Sequence, residues 1–120
     1  MLIHAAGVSE VASIENTADD VWRQTMAANV IGPAELTRVL LPALRVARGR
    51  VVFVNAAAGL RAVPRWSAYV ASKTALRELA DSLRLEEAAH GIRVTSVYPG
   101  GVATERSAKY ERTWAARTTQ

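Results

Sequence analysis

The feature that most constrains the fold is an alternation of apolar runs and helix-forming segments along most of the chain. Residues 51–54, "VVFV", form an unbroken β-branched and aromatic run, which is typical of a strand buried on both faces of a parallel sheet. Shorter runs at 1–6 and 92–98 predict two further strands. The order strand, helix, strand, helix, strand predicts parallel pairing with right-handed crossovers, which is an α/β fold.

The two intervening helices each carry an apolar stripe. The first begins after Thr17, a residue type that caps helix N-termini. Gly32-Pro33 interrupts this helix, but its apolar stripe continues beyond the interruption, so the sequence predicts a kink or local bulge rather than an end. The second helix covers residues 67–90 and ends at Gly91, the residue that C-terminal caps prefer.

Composition excludes several kinds of site. The chain has no cysteine, and its two histidines, His4 and His90, lie in separate segments without ligand spacing, so we expect no metal site. The net charge is +4, but basic and acidic residues are interspersed. Nucleic-acid binding needs a clustered basic stripe, so we expect no nucleic-acid partner.

The ends of the chain bear on its location and completeness. No apolar run approaches the roughly 20 residues of a membrane span, and no signal-peptide pattern follows Met1, so we expect no membrane association and a cytoplasmic location. A chain that opens inside a buried strand is expected to be a fragment or to have its true start upstream. Residues 105–120 are polar and charged, which predicts a tail after a domain at 1–104.

Tyr69 and Lys73, in "YVASK", are the strongest local signal for chemistry. A spacing of four puts both side chains on one face of a helix. An ammonium beside a phenol favours the phenolate and lowers the pKa of the tyrosine from about 10, which suits proton transfer near neutrality. The same spacing is also that of an ordinary surface pair, and by itself it does not distinguish the two.

The wider set of motifs does distinguish them. The chain carries, in order, "LIHAAG", "AANVIGP", "GRVVFVNAAAG", "YVASKTAL", "LRLEEAAHGIRVTSVYPG" and "GVAT". In this order and spacing the sequence resembles the short-chain dehydrogenase/reductase family, over residues 1–104. The resemblance implies a truncated, three-layer, Rossmann-like parallel sheet of β-α-β-α-β order. It also implies an oxidoreductase that uses NAD or NADP on a small secondary alcohol or ketone.

The resemblance also implies roles for individual residues. Tyr69 matches the residue that exchanges a proton with the substrate oxygen, and Lys73 matches the residue that supports it and holds the nicotinamide ribose. Asn29 matches the helix asparagine that shapes a proton-relay water site. The positions matching the family's nicotinamide-side contacts, besides Tyr69 and Lys73, are Pro99, Gly100, Val102 and Thr104. Family members often dimerise through the helices that correspond to residues 17–44 and 67–90, so a homo-oligomer is expected.

Two departures from the family pattern bear on activity. Ala56 stands where the family has the serine that hydrogen-bonds the substrate oxygen, and losing one such donor typically costs roughly 100- to 1,000-fold in rate. Asn55 is adjacent, but neighbouring side chains on a strand point to opposite faces, so Asn55 is not expected to replace the serine. Ser67 and Ser72 lie on the tyrosine helix, and neither matches the family position.

The second departure is the family's Gly-x-x-x-Gly-x-Gly turn, which receives the pyrophosphate at a helix N-terminus and which the glycines of this chain do not form. About three strands and two helices of the family domain would precede Met1, so the first strand is expected to have an unpaired edge. Three interpretations stay open: an NAD(P)-dependent oxidoreductase, a non-catalytic or truncated remnant that acts through another subunit, and an unrelated α/β binding module. For the isolated chain we predict little or no activity.

Overall fold

Three short strands pair in parallel in the computed structural model, which describes residues 1–5, 7, 9–56 and 62–99. They are β1 (Leu2–His4), β2 (Arg50–Val54) and β3 (Arg93–Val97). β2 lies in the middle, so the sheet order is β1-β2-β3. The register pairs His4 with Phe53 and Phe53 with Ser96. The predicted α/β order of strand, helix, strand, helix, strand is confirmed.

The connection from β1 to β2 is one long helical segment in three parts. After a 3-10 turn (Ile14–Asn16) come α1 (Asp19–Met26), a π-helical turn (Ala27–Ile31) and α2 (Gly32–Ala47). The connection from β2 to β3 contains α3 (Ser67–Glu87), which tightens into a 3-10 turn (Ala88–His90).

The ends of these helices agree with the sequence in one place and differ in another. Gly91 ends the second helical segment in the left-handed conformation, with φ of 74°, as predicted. The predicted cap at Thr17 is wrong, because Ala18 takes the N-cap position and makes no side-chain cap. The hydroxyl of Thr17 instead donates to the carbonyl oxygen of Ser13 at 2.6 Å, so it closes the preceding turn and not the helix.

The π-helical turn confirms the predicted bulge next to Gly32-Pro33. Pro33 has no N–H, and in a regular α-helix that N–H would donate to the carbonyl of Asn29. The chain closes a wider turn instead, in which the N–H of Gly32 donates to the carbonyl of Ala27. Such π turns occur often at functional sites, and this one carries Asn29 at its centre with no exposed surface.

Both helical connections cover the same face of the sheet. Because the strands follow one another in space as in sequence, each right-handed crossover moves in the same direction and places its helix on the same side. One core cluster accordingly unites the buried side chains of both helices with alternate residues of the strands: Leu44, Val51, Phe53, Leu76, Ala80, Leu83, Ile92 and Val94. The described residues therefore supply the sheet and one of the two helical layers of a three-layer fold.

The opposite face of the sheet and its two edges are open among the described residues. Ile3 is 56 % exposed and Val97 is 42 % exposed, both on the face away from the helices. Among the described residues, β1 and β3 each pair with β2 alone. β3 alternates between buried and exposed residues, as its mixed apolar and polar sequence predicts.

Candidate active site

Four segments meet at the edge of the sheet where its parallel strands end. β2 ends at Val54, the π turn brings Asn29, the first turns of α3 bring Tyr69 and Lys73, and Gly7 follows β1. Ligands of parallel α/β sheets bind beyond this carboxyl edge. The structure thus brings together the three residues that the sequence proposed for catalysis.

Lys73 is buried at this edge with its ammonium against backbone oxygen. Its Nζ donates to the carbonyl oxygen of Val54 at 3.2 Å, and the residue is 4 % exposed. A buried ammonium is stable only where hydrogen-bond acceptors surround it. The end of β2 therefore fixes the position of the lysine ammonium through a backbone carbonyl. This contact does not depend on the identity of the side chain at residue 54.

Gly7 allows the side chains of Asn29 and Lys73 to come close to the backbone that follows β1. A Cβ atom at Gly7 would lie 3.1 Å from Asn29 Oδ1 and 3.3 Å from Lys73 Nζ. Both distances are shorter than ordinary van der Waals contacts, so only glycine fits here without displacing one of the two polar groups. The sequence did not predict this close approach at Gly7.

Asn29 and Ser72 form a buried hydrogen bond between the π turn and α3. Asn29 Nδ2 donates to Ser72 Oγ at 2.9 Å, and Ser72 Oγ donates to the carbonyl oxygen of Tyr69 at 2.7 Å. Neither Asn29 nor Ser72 has exposed surface. The sequence set Ser72 aside because it does not match the family serine, although its position three residues after Tyr69 places it on the same helix face.

Tyr69 packs in a second apolar cluster with Ala56, Val63 and Trp66. The ring of Trp66 meets the ring of Tyr69 edge-on, with centroids 5.5 Å apart and planes at 74°, a favourable arrangement for aromatic pairs. Tyr69 is 3 % exposed and Trp66 is 1 % exposed. Trp66 is therefore a packing residue that holds the tyrosine ring and is itself covered.

Asn55 and Ala56 follow the end of β2, and Ala56 stands where the family resemblance implies a serine hydroxyl. The side chain of Ala56 packs with Tyr69 and offers no hydrogen-bond donor. Asn55 is 7 % exposed, and its Oδ1 accepts a hydrogen bond from the backbone N–H of Ala56 at 2.8 Å. Its Nδ2 has no hydrogen-bond partner within the described part of the chain. The side-chain oxygen of Asn55 is thus bound to the neighbouring backbone N–H.

The nicotinamide-side positions are described only in part. Pro99 is exposed and lies two residues after the end of β3. Gly100, Val102 and Thr104 lie outside the described residues, as does the tail at 105–120.

The described ranges contain no group of three or more His, Cys, Asp or Glu side chains that could hold a metal ion. None of the helices in the described part of the chain is long and apolar enough to cross a membrane. A surface pocket of about 540 Å³ lies beside α1, and its lining does not include Tyr69 or Lys73. The pocket is lined by Ser9, Glu10, Val21, Gln24, Thr25, Ala27 and Ala28.

Comparison with known proteins decides the family. The model of the short chain dehydrogenase family matches residues 1–114. This chain belongs to the short-chain dehydrogenase/reductase family. A curated relative, dehydrogenase/reductase SDR family member 7B of Bos taurus, is 41 % identical over 108 residues. That alignment covers 89 % of this chain and 33 % of the relative, so this short-chain dehydrogenase/reductase chain spans about a third of the length of such relatives.

Solved structures of the family include complexes with both nicotinamide cofactors. The chain aligns with 4-hydroxyisoleucine dehydrogenase complexed with NADH at a TM-score of 0.80 and 33 % identity, covering 90 % of this chain and 48 % of that one. It aligns with a metagenomic short-chain oxidoreductase in complex with NADP at a TM-score of 0.79 and 30 % identity, covering 100 % and 55 %. The Rossmann-like fold implied by the resemblance is therefore confirmed.

Proposed function

We propose that this chain carries the proton-transfer side of an NAD(P)-dependent oxidoreductase site that acts on a secondary alcohol or ketone. The observation that carries the proposal is the burial of Tyr69, Lys73 and Asn29 together at the carboxyl edge of a parallel sheet. The chain belongs to an oxidoreductase family, and relatives of known structure bind NADH or NADP.

In the proposed reaction, Tyr69 handles the proton. When an alcohol is oxidised, the phenolate oxygen of Tyr69 takes the hydroxyl proton of the substrate while the substrate carbon loses a hydride. When a ketone is reduced, the phenol returns that proton to the oxygen. The nicotinamide group, when bound, accepts or supplies the hydride. The positive charge of Lys73 favours the phenolate form of Tyr69. Asn29 places its amide oxygen close to Gly7, where the ammonium of Lys73 also lies.

The residues of this chain fit one part of such a cofactor. A buried ammonium, Lys73, lies at the carboxyl edge and suits the hydroxyls of the nicotinamide ribose. The glycines of the sequence do not form the turn that receives the pyrophosphate. Cofactor binding by this chain is thus proposed for the nicotinamide side, with the phosphate contacts coming from another chain or from further sequence.

Access to Tyr69 requires movement of the segment that covers it. Val63 and Trp66 pack over its ring. In the same segment, Ala62 and Arg65 have positive φ angles of 53° and 71°, which are strained for side chains with a Cβ. Such strain occurs at sites that change conformation. We infer that residues 62–66 move away from Tyr69 when a substrate enters.

A second candidate function is a non-catalytic remnant that acts through association. Ala56 favours it, because its methyl group stands beside Tyr69 where a hydroxyl would stabilise the substrate oxygen. Exposed apolar side chains on α2, such as Val39 at 62 % exposure, also favour association. We propose a second copy of this chain as the partner, through the long helices at 17–44 and 67–90.

The first experiment is binding of NADH and NADPH to the purified chain by calorimetry. The chain has two lysines, Lys73 and Lys109, so Lys73→Ala and Lys109→Ala form a matched pair. Because the chain supplies only the nicotinamide side of the site, the proposal expects weak but saturable binding, which Lys73→Ala abolishes and Lys109→Ala leaves unchanged. No binding at millimolar cofactor, or equal loss in both variants, would support the remnant instead.

The second experiment is turnover of a secondary alcohol by the same preparations. We expect little or none from the isolated chain. Robust, saturable turnover that disappears in Tyr69→Phe would contradict that expectation and would establish the proton-transfer role. Where turnover is measurable, Ala56→Ser is expected to raise it about 100-fold or more, while Ala43→Ser, an exposed site on α2, leaves it unchanged.

A further inference from the structure

We propose that Ser72 is a positioning residue that holds the side-chain amide of Asn29 in one orientation, with its oxygen toward Gly7 and Lys73. The catalytic relevance of this orientation rests on the proposed function, which makes Asn29 and Lys73 part of a catalytic site. The orientation itself is a property of the folded chain.

The first step is that the single hydroxyl proton of Ser72 is already used. Ser72 Oγ donates to the carbonyl oxygen of Tyr69, three residues earlier on α3, at 2.7 Å. A serine hydroxyl has one proton and two acceptor positions. The remaining capacity of Ser72 Oγ is therefore that of an acceptor, and whichever atom of Asn29 faces it must be a donor.

The second step is that only one end of the amide can donate. The amide nitrogen of an asparagine carries two donors, and the amide oxygen only accepts. Asn29 Nδ2 lies 2.9 Å from Ser72 Oγ, and both residues are completely buried. The reversed amide would place its oxygen against the hydroxyl oxygen, so the hydroxyl proton would have to leave the Tyr69 carbonyl. Ser72 thus selects the orientation with nitrogen toward α3.

The third step is the consequence at the other end of the amide. Asn29 Oδ1 and Lys73 Nζ both border Gly7, at 3.1 Å and 3.3 Å from the point that a Cβ of Gly7 would occupy. With the amide held as observed, an acceptor stands in the neighbourhood of the ammonium. With the amide reversed, two further donors would stand there. Ser72 therefore acts on Lys73 through Asn29.

The sequence makes this test tractable by magnetic resonance. The chain has three asparagines, Asn16, Asn29 and Asn55, and only two lysines, so selective labelling gives few signals. In the unmodified chain, the Nδ2 protons of Asn29 should show stronger nuclear Overhauser effects to the β protons of Ser72 than to the α protons of Gly7. The opposite pattern would overturn the proposal, whatever any variant does.

The variant Ser72→Ala removes the hydroxyl at little change in volume. We expect the Nδ2 protons of Asn29 to exchange with solvent about tenfold faster, because the amide loses its acceptor. We also expect Lys73 to titrate at lower pH, because a nearby acceptor, Asn29 Oδ1, is no longer held in place, while Lys109 titrates unchanged. The matched control is Ser82→Ala, the same substitution at an exposed position of α3, which should alter neither readout.

A double variant separates positioning from general loosening of the helix. In an Asn29→Ala background, adding Ser72→Ala should leave the Lys73 titration where Asn29→Ala alone puts it, because contacting residues are not additive. Equal effects in both backgrounds, or a cooperatively folded Ser72→Ala chain with unchanged Asn29 exchange, would overturn the proposal. All of these readouts are made without cofactor, so failure to bind NAD(P)H would reject the proposed function and leave this inference standing.

Discussion

Arg45 donates two hydrogen bonds to the carboxylate of Glu87, from Nη2 to Oε1 at 2.6 Å and from Nε to Oε2 at 3.0 Å. The pair joins the last turn of α2 to the last turn of α3. Helices in parallel α/β units run opposite to the strands, so this contact lies at the edge of the sheet away from Tyr69. The Glu87 side chain is 3 % exposed. The hydrogen bonds from Arg45 are therefore its main replacement for the water that the buried carboxylate has lost.

The first prediction concerns stability in acid. The hydrogen bonds and charge of Arg45 lower the pKa of the Glu87 carboxyl from its ordinary 4.5. The folded state therefore binds this proton less readily than the unfolded state. The stabilisation is present above pH 4.5 and is lost as the pH falls through the lower, folded value.

Urea unfolding between pH 3 and pH 7 tests this prediction. The free energy of unfolding should fall more steeply below pH 4.5 in the unmodified chain than in Glu87→Gln. The control is Glu35→Gln, which breaks an exposed pair with Arg38 on α2 and should follow the unmodified chain. Identical profiles for the unmodified chain and Glu87→Gln would show that the pair does not couple to folding.

The second prediction concerns His4 at the end of β1. Its Nε2 lies 2.9 Å from Thr37 Oγ1, its ring stacks on Phe53 with centroids 4.9 Å apart, and the residue is 7 % exposed. Burial lowers the pKa of His4 from its ordinary 6.5. The unfolded chain therefore takes up this proton first, so stability is full above pH 6.5 and falls as the pH drops below it.

The test is thermal unfolding between pH 8 and pH 5. His4→Gln keeps a polar group for Thr37 but does not titrate in this range, so the loss of stability below pH 6.5 should shrink. His90→Gln, at a half-exposed position after α3, should retain it. If both variants lose stability in parallel with the unmodified chain, His4 is not the group responsible.

The third prediction concerns the close approach at Gly7. In Gly7→Ala the new methyl group would lie 3.1 Å from Asn29 Oδ1 and 3.3 Å from Lys73 Nζ. Both atoms belong to buried, hydrogen-bonded side chains, so neither moves cheaply. Overpacking of this kind typically costs about 1–3 kcal/mol, and we expect that loss in urea unfolding together with an altered Lys73 titration.

The matched control for this substitution is Gly49→Ala. There the nearest atom to the new methyl is Leu44 Cδ2 at 3.0 Å, the end of a flexible apolar side chain. Gly49→Ala should therefore leave the Lys73 titration unchanged even if it costs some stability. A Gly7→Ala chain with unchanged stability and titration would show that the site has room that the structure does not indicate.

The order of elements could be predicted from the sequence, because strand and helix periodicities are local. The clustering of Tyr69, Lys73 and Asn29 was implied by the resemblance to the family. The contact between Asn29 and Ser72 could not be predicted. Its partners are 43 residues apart, and it depends on how the π turn packs against α3. The start of α1 was mispredicted for a related reason, since Thr17 had a competing backbone acceptor in the turn before the helix.

The last prediction concerns association through α2. Leu36 and Val39 are 47 % and 62 % exposed and lie three residues apart, so they form one apolar stripe on the helix surface. Burying such a stripe against a second copy removes apolar surface from water, which favours a dimer. A charge placed in the middle of that contact would be buried without a partner, so Val39→Glu is expected to raise the dimer dissociation constant at least about tenfold.

Sedimentation equilibrium measures the dimer dissociation constant. The control is Thr95→Glu, at an exposed site on β3, which should dimerise like the unmodified chain. A chain that is monomeric throughout, or equal weakening by Val39→Glu and Thr95→Glu, would show that α2 is not the contact surface.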